Sequence, residues 1–129
     1  MYVWRIENKE NGIGPFRNQT YPLSHFTSGG WTKDRHAPRP TPWSDDGIGR
    51  ALGDDEKCAC ESMQQLYFWF TRADWLRLAR QGYRVLRLTV PAKAVVKGSK
   101  QVVYNVHKVR ERREVSYFTG RAKRKTVGG

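Results

Sequence analysis

Residues 17–57 constrain the fold most, because they combine helix- and strand-breaking residues with little hydrophobic periodicity. Four of the six prolines in the chain lie there: Pro22, Pro38, Pro40 and Pro42. The stretches Gly29-Gly30 and Asp45-Asp46-Gly47 add turn signals. Proline removes a backbone donor and glycine favours turns, so neither suits the interior of a helix or a strand. We therefore predict a long irregular region at 17–57, of the kind that is functional or mobile in a small domain.

The N-terminal segment Tyr2–Glu7 alternates in polarity. Tyr2, Trp4 and Ile6 would face one side and Arg5 the other, which is typical of a strand with one aromatic face. Arg5 is then either an ordinary surface residue or a guanidinium held over a pocket for a phosphate or carboxylate.

Residues 62–81 carry the signals of helix starts and helical spacing. Ser62 followed by Gln65 fits a capping box, and Thr71 with Asp74 gives a second start. The pattern predicts one bent helix or two short ones. The Ser62 hydroxyl is either a helix cap or an active group, and the two roles are compatible because helix N-termini also bind anions.

Two further strands are predicted after this helical block, at Tyr83–Val90 and Gln101–Val109. Residues 110–118 extend the sheet or form a short helix. Strands with one helical block indicate an α+β fold with a small mixed or antiparallel sheet. We predict a single globular domain at 1–118, followed by a basic, flexible tail at 119–129.

The whole chain has a formal net charge of +12. Its positive charge is concentrated at the C-terminal end. Residues 108–125 contain two acids, Glu111 and Glu114, and eight bases. The bases are Lys108, Arg110, Arg112, Arg113, Arg121, Lys123, Arg124 and Lys125. Such a segment attracts polyanions, so we predict that it binds nucleic acid or a host protein–nucleic acid complex. The alternative is a solvated charge run that only keeps the protein soluble.

The remaining candidate residues have both a functional and a structural explanation. His36, Asp45 and Asp46 lie in the proline-rich region, where a histidine and an acid could form an acid–base pair. Turn formation by the two aspartates, beside an exposed histidine, is the favoured explanation. Gln101 would hydrogen-bond either a ligand or a loop carbonyl.

No metal or membrane motif stands out. Cys58 and Cys60 are too close for an unstrained disulfide, and His25, His36 and His107 do not show zinc spacing. We therefore expect no metal site and two reduced thiols in a cytosolic protein. Neither a secretory signal nor an apolar run of membrane-spanning length is present, so no membrane partner is expected.

Four stretches of the sequence carry a family resemblance: VWRIENKENGIGPF at 3–16, RHAPRPTPWSDDGIG at 35–49, CACESMQQLYFWF at 58–70 and GYRVLRLTVPAKAVVKGSKQVVYN at 82–105. Through them the chain resembles a group of small proteins typical of bacteriophage genomes. The resemblance covers most of residues 2–105 and stops before the basic segment. It implies a phage protein that acts in the cytoplasm of the bacterial host cell.

A looser likeness connects Arg5, Ser62 and Gln101. The chain is similar in this respect to the ADP-ribosyltransferase fold, which clamps NAD between a first-strand Arg or His, a Ser/Thr strand-to-helix junction and a late strand with Gln or Glu. The likeness implies that Arg5 holds a phosphate or ribose of NAD, that Ser62 lies at the junction and that Gln101 lies on the late strand. The run Gln101–Tyr104 contains no Glu, however, and a Gln cannot bear the negative charge that stabilises an oxocarbenium ion.

These observations favour a phage-type accessory protein that binds nucleic acid or a host defence complex working on it, with an anti-CRISPR inhibitor as one form. This function needs no cofactor. The alternative is an ADP-ribosyltransferase-like enzyme that uses NAD to modify a host target. A third option, an RNA-binding or ribosome-associated module, lacks a recognised RNA-binding motif.

Overall fold

The computed structural model of the protein describes residues 1–12, 14, 47–50 and 52–123. Most of the irregular region predicted at 17–57 lies outside this part of the chain. The candidate residues outside it are His36, Asp45, Asp46, Arg124 and Lys125. The described residues form an α+β fold, which confirms the fold class predicted from the sequence.

Six strands and two α-helices make up the described part of the fold. The strands are β1 (Tyr2–Asn8), β2 (Glu56–Ala59), β3 (Tyr83–Thr89), β4 (Val95–Lys97), β5 (Val102–Asn105) and β6 (Glu111–Val115). The helices are α1 (Met63–Trp69) and α2 (Arg72–Arg80). Short 3₁₀-helices at Ala92–Ala94 and Val106–Lys108 precede β4 and follow β5.

The strands form two antiparallel sheets that meet at one residue pair. In one sheet β3 lies between β1 and β6, and in the other β5 lies between β2 and β4. Just beyond β2, Cys60 pairs with Trp4 of β1, and the two backbones exchange hydrogen bonds of 2.7 Å in each direction. The strands therefore follow one another in the order β4-β5-β2-β1-β3-β6.

Two N-caps explain why the segment predicted to be helical forms two short helices. The Ser62 hydroxyl accepts a hydrogen bond from Gln65 N at 3.0 Å and starts α1. This helix ends where Phe70 takes an extended conformation. Thr71 and Asp74 then form a complete capping box that starts α2. A cap of this type stabilises a helix by about 1 kcal/mol.

Two hydrophobic clusters pack on opposite faces of the β1-β3-β6 sheet. The first, between this sheet and the two helices, includes Ile6, Leu66, Leu78, Val85 and Tyr117. The second, between the two sheets, includes Val3, Leu86, Leu88, Val102 and Tyr104. Successive residues of a strand face opposite sides, so one strand supplies both clusters. Each fully buried Val or Leu contributes about 1.5–3 kcal/mol.

Some strand boundaries differ from the sequence-based prediction. β5 ends at Asn105 instead of Val109, because the Asn105 side chain accepts a hydrogen bond from His107 N at 2.9 Å and starts a 3₁₀-helix. β2 begins at Glu56, inside the region predicted to be irregular. β2 and β4 have four and three residues, which is too short for a readable alternation.

Candidate functional site

Strand β6 brings the basic C-terminal segment onto one edge of the sheet. It pairs antiparallel with β3, from Glu111 opposite Thr89 to Val115 opposite Val85. Val115 is buried in the first hydrophobic cluster and anchors the strand. Arg110 N donates to the Thr89 carbonyl at 2.8 Å, so the chain already runs beside β3 before β6 begins.

Residues 116–123 turn back onto β6. Ser116 N donates to the Arg121 carbonyl at 2.9 Å, and Lys123 N donates to the Glu114 carbonyl at 3.0 Å. The returning segment includes the first residues of the predicted basic tail. Its backbone hydrogen bonds give the charges it carries a defined position beside the strand.

Six residues of the basic segment are described, and two of them have an acidic partner. Arg112 Nη1 lies 3.6 Å from Glu7 Oε1, and Lys123 Nζ lies 2.8 Å from Glu114 Oε2. Partial burial opposes ionisation of Glu114, but Lys123 together with the charges of Lys9 and Arg84 outweighs it, so the pKa of Glu114 is lowered. The other four residues, here called the basic edge, form no ion pair with any residue that the structure describes: Lys108, Arg110, Arg113 and Arg121.

Arg5 lies on the face of β1 that packs against the second sheet. Its side chain is 12% exposed. Nε donates to Glu7 Oε2 at 3.1 Å, and Nη1 donates to the Cys58 carbonyl of β2 at 2.7 Å. Glu7 is 1% exposed, so its buried carboxylate is compensated by Arg5 and, at longer range, by Arg112.

Tyr104 of β5 places a buried hydroxyl near this ion pair. The hydroxyl finds no hydrogen-bond partner among the described residues. Burial raises the pKa of Tyr104, and the charges of Arg5, Glu7 and Arg112 act on it more weakly. A buried polar group without a partner costs about 1–3 kcal/mol, so its presence in the core needs an explanation.

The three residues of the predicted NAD clamp lie on or next to neighbouring strands. Arg5 lies in β1, Ser62 lies between β2 and α1, and Gln101 directly precedes β5. β1, β2 and β5 are consecutive in the strand order. The hydroxyl of Ser62 is engaged by Gln65 N as the helix cap, and Gln101 is buried.

The sulfur and imidazole groups form no metal centre in the described part of the chain, where no group of three or more His, Cys, Asp and Glu side chains could hold an ion. Cys58 and Cys60 are both thiols, and burial raises the pKa of Cys60. His107 Nε2 lies 2.9 Å from Asp55 Oδ1 in an exposed pair. None of the described helices is long and apolar enough to cross a membrane.

An exposed aromatic group lies on the helix side of the β1-β3-β6 sheet, which is the face opposite to that of Arg5. The sequence analysis did not assign this group a function. Tyr2 is 48% exposed and meets the Trp4 ring edge-on, with 6.1 Å between the ring centroids. The guanidinium carbon of Arg87 lies 4.3 Å from the centroid of the Tyr2 ring. The alternation of β1 indicated the two aromatic residues, but the position of Arg87 opposite Trp4 depends on the register with β3.

Comparison with known proteins places the chain in a family. A family model described as Bacteriophage T4 Y00F protein matches residues 1–118. The chain belongs to the bacteriophage T4 Y00F family. No curated protein and no solved structure matches it. The resemblance to small bacteriophage proteins is thereby confirmed.

The Y00F match extends further along the chain than the sequence motifs indicated. The motifs end at residue 105, whereas the match continues to Phe118 and includes β6. Three residues of the basic edge therefore lie within the Y00F region, and Arg121 lies beyond it.

Proposed function

We propose that this chain is a phage accessory protein that binds nucleic acid through its basic edge. The observation that carries the proposal is the position, along β6 and its flanking turns, of four cations that have no acidic partner among the described residues. Because hydrogen bonds fix the backbone of this segment, its cations contact a phosphate backbone with little further ordering of the chain. A solvated charge run would first have to be ordered, at a cost in conformational entropy.

The strand geometry places cations on both sides of one sheet edge. Arg110 and Arg113 are three residues apart, so their side chains face opposite sides of the sheet, with about 10 Å between the residues at the rise of roughly 3.3 Å per strand residue. This length corresponds to about three nucleotides at the axial rise of one DNA strand. Backbone contacts of this kind carry no base information, so the proposed binding is independent of sequence.

A host machine that works on nucleic acid is the proposed target of this binding. A phage protein on the same nucleic acid, or on an acidic surface of the machine, would obstruct a bacterial defence complex, and anti-CRISPR inhibition is one form of such obstruction. The support is membership of a phage family together with a net charge of +12. The proposed function operates in the cytoplasm of the bacterial host.

Fluorescence anisotropy with a labelled DNA duplex, at about 50 and about 200 mM salt, tests the proposal. If four cations each neutralise one phosphate, the affinity should fall about 100-fold between these concentrations. Replacement of the whole basic edge by Gln should remove most of the binding. The matched control loses four exposed cations elsewhere: Lys9, Arg72, Arg80 and Lys93. No binding of either a duplex or a single strand by the parent at low salt, or equal binding by the edge variant, would refute the proposal.

A second candidate function is NAD binding in an ADP-ribosyltransferase-like enzyme, supported by the placement of Arg5 on β1, with Ser62 and Gln101 next to the neighbouring strands β2 and β5. The donors present suit an anionic cofactor. Arg5 would contact a phosphate or ribose, and the Tyr104 hydroxyl is a donor without a described partner near it. The residues present support the ADP-ribosyl transfer reaction less well, because β5 contains no Glu to stabilise an oxocarbenium ion.

Calorimetric titration with NAD tests this second candidate. Arg5→Lys keeps a positive charge beside Glu7 but loses the planar fork of donors, so it should bind NAD more weakly. Arg113→Gln, on the basic edge, is the matched control and should bind NAD like the parent. Absence of binding by the parent rules out this candidate and leaves the nucleic-acid proposal unaffected.

A further inference from the structure

The helices cover only part of their face of the β1-β3-β6 sheet. Ile6, Val85 and Val115 lie in the first cluster, under the helices. Two residues away along each strand, and so on the same face, the sheet carries a row of residues that are directly opposite one another: Trp4, Arg87 and Arg113. This row is aromatic and basic instead of aliphatic, and its residues are only partly buried, with Trp4 packed against the first cluster.

Tyr2 lies beyond this row, on the same face of β1 as Trp4. Its ring is half exposed, with the Arg87 guanidinium 4.3 Å from its centroid. A contact of this kind contributes about 0.5–1 kcal/mol at an exposed site and fixes the guanidinium next to the ring. The edge-on contact with Trp4 holds the ring from another side. The Tyr2 ring and the Arg87 guanidinium are therefore two planar groups with fixed positions at an accessible surface.

We propose that these four residues, Tyr2, Trp4, Arg87 and Arg113, form a platform that binds single-stranded nucleic acid. One base stacks on the Tyr2–Arg87 pair, and the adjoining phosphates contact Arg113. The inference rests on the proposed binding of nucleic acid and specifies its class. Stacking on a side chain requires an unpaired base, which a duplex does not present. Arg113 belongs to both the basic edge and the platform, so a strand bound along the edge reaches the platform.

Glu111 supplies a test of opposite sign. It lies opposite Thr89, which lies opposite Tyr2, so Glu111 is on the platform face about 10 Å from Tyr2. It is exposed and forms no ion pair with the residues described. Its carboxylate repels a phosphate on this face, and Glu111→Gln should therefore strengthen binding of a single strand.

Anisotropy with a labelled oligothymidylate of about 12 nucleotides and a duplex of the same length tests the platform. Tyr2→Ala should weaken oligothymidylate binding about tenfold or more, because a stacked base is lost, and should leave duplex binding unchanged. Tyr2→Phe should retain the affinity of the parent. Glu111→Gln should bind the oligothymidylate about two- to fivefold more tightly. Phe118→Ala removes another exposed aromatic ring, 55% exposed, and should change nothing.

Either of two results would overturn the platform. One is a Tyr2→Ala variant that binds the oligothymidylate like the parent, and the other is a parent that binds the duplex equally tightly. Salt-dependent duplex binding in those cases keeps the basic edge and removes only the platform. If neither probe binds at low salt, the proposed function fails together with the inference.

Discussion

Trp4 and Cys60 exchange two backbone hydrogen bonds of 2.7 Å, and this pair joins the two sheets. Arg5, the next residue in β1, donates to the Cys58 carbonyl across the same junction at 2.7 Å. Backbone pairing and a charged side chain together hold β1 against β2. The pairing covers a strand edge that would otherwise offer unpaired groups to another chain. It also buries Cys60 where the two sheets meet.

Cys60 should react slowly with thiol reagents while the protein is folded. Its side chain is 6% exposed, and burial raises the pKa of its thiol, so little thiolate forms at neutral pH. In a Cys58→Ser variant, maleimide should label Cys60 at least about tenfold more slowly in buffer than in denaturant. Mass spectrometry measures both rates. Equal rates would mean that the junction between the sheets opens freely.

Replacement of Glu7 by Gln should lower the free energy of unfolding by about 3 kcal/mol. The substitution leaves the largely buried Arg5 guanidinium without its carboxylate, and Arg112 loses its contact as well. Urea unfolding measures the difference. Glu111→Gln removes an exposed carboxylate of β6 and is the control, with an expected change within about 0.5 kcal/mol. A change equally small for Glu7→Gln would show that the buried pair does not stabilise the fold.

The larger elements of this fold could be predicted because each has a local signal. The alternation of Tyr2–Glu7 and the caps at Ser62 and Thr71 depend only on residues close in sequence. β2 and β4 could not be predicted, because they are too short to alternate and exist through their pairing with β5. The number of helices was left open, and the extended backbone of Phe70 decides it.

The candidate site shows the same division between local and distant information. The charges of the basic segment are visible in the sequence, and so is the shared face of Arg5 and Glu7. The pairing of Glu7 with Arg112 is not, since these residues are far apart in the chain. Which cations remain available for a polyanion therefore depends on tertiary structure.

Tyr104→Phe should leave stability unchanged or raise it by up to about 1 kcal/mol. The tyrosine ring is fully buried in the second cluster, while its hydroxyl has no hydrogen-bond partner among the described residues. Phenylalanine keeps the ring and removes the unsatisfied group. Thermal unfolding compares the two proteins, and Tyr117→Phe is the control that should destabilise, because it removes a buried hydrogen bond of 2.8 Å to the Phe70 carbonyl. A clear loss of stability in Tyr104→Phe would show that the hydroxyl does have a partner.

The pair of Arg50 and Glu56 should stabilise the protein at neutral pH and lose its effect in acid. Hydrogen bonds from Arg50, and then from Gly53 N, lower the pKa of Glu56 to about 2. In the unfolded chain this pKa is about 4.3, so the contribution is complete above that pH and disappears as pH falls through about 2. Glu56→Gln should thus be less stable than the parent at pH 7, and the difference should shrink between about pH 4 and 2. Denaturant titrations across this range measure it, and a difference independent of pH would contradict the assignment.

Truncation after Phe118 should reduce both nucleic-acid affinity and stability, for separate reasons. It removes the charges of Arg121, Lys123, Arg124 and Lys125, and it also removes the backbone hydrogen bonds that tie the returning segment to Ser116 and Glu114. The lost hydrogen bonds should lower the free energy of unfolding by about 1–2 kcal/mol.

A full-length variant in which Gln replaces all four of these cations separates the two effects, because it loses the same charges and keeps the backbone bonds. We expect it to bind a duplex as weakly as the truncated chain, while unfolding close to the parent. Anisotropy at low salt and urea unfolding measure the two properties on the same samples. An affinity that the truncation leaves unchanged at low salt would remove the C-terminal cations from the interface, because each phosphate contact contributes measurably under these conditions.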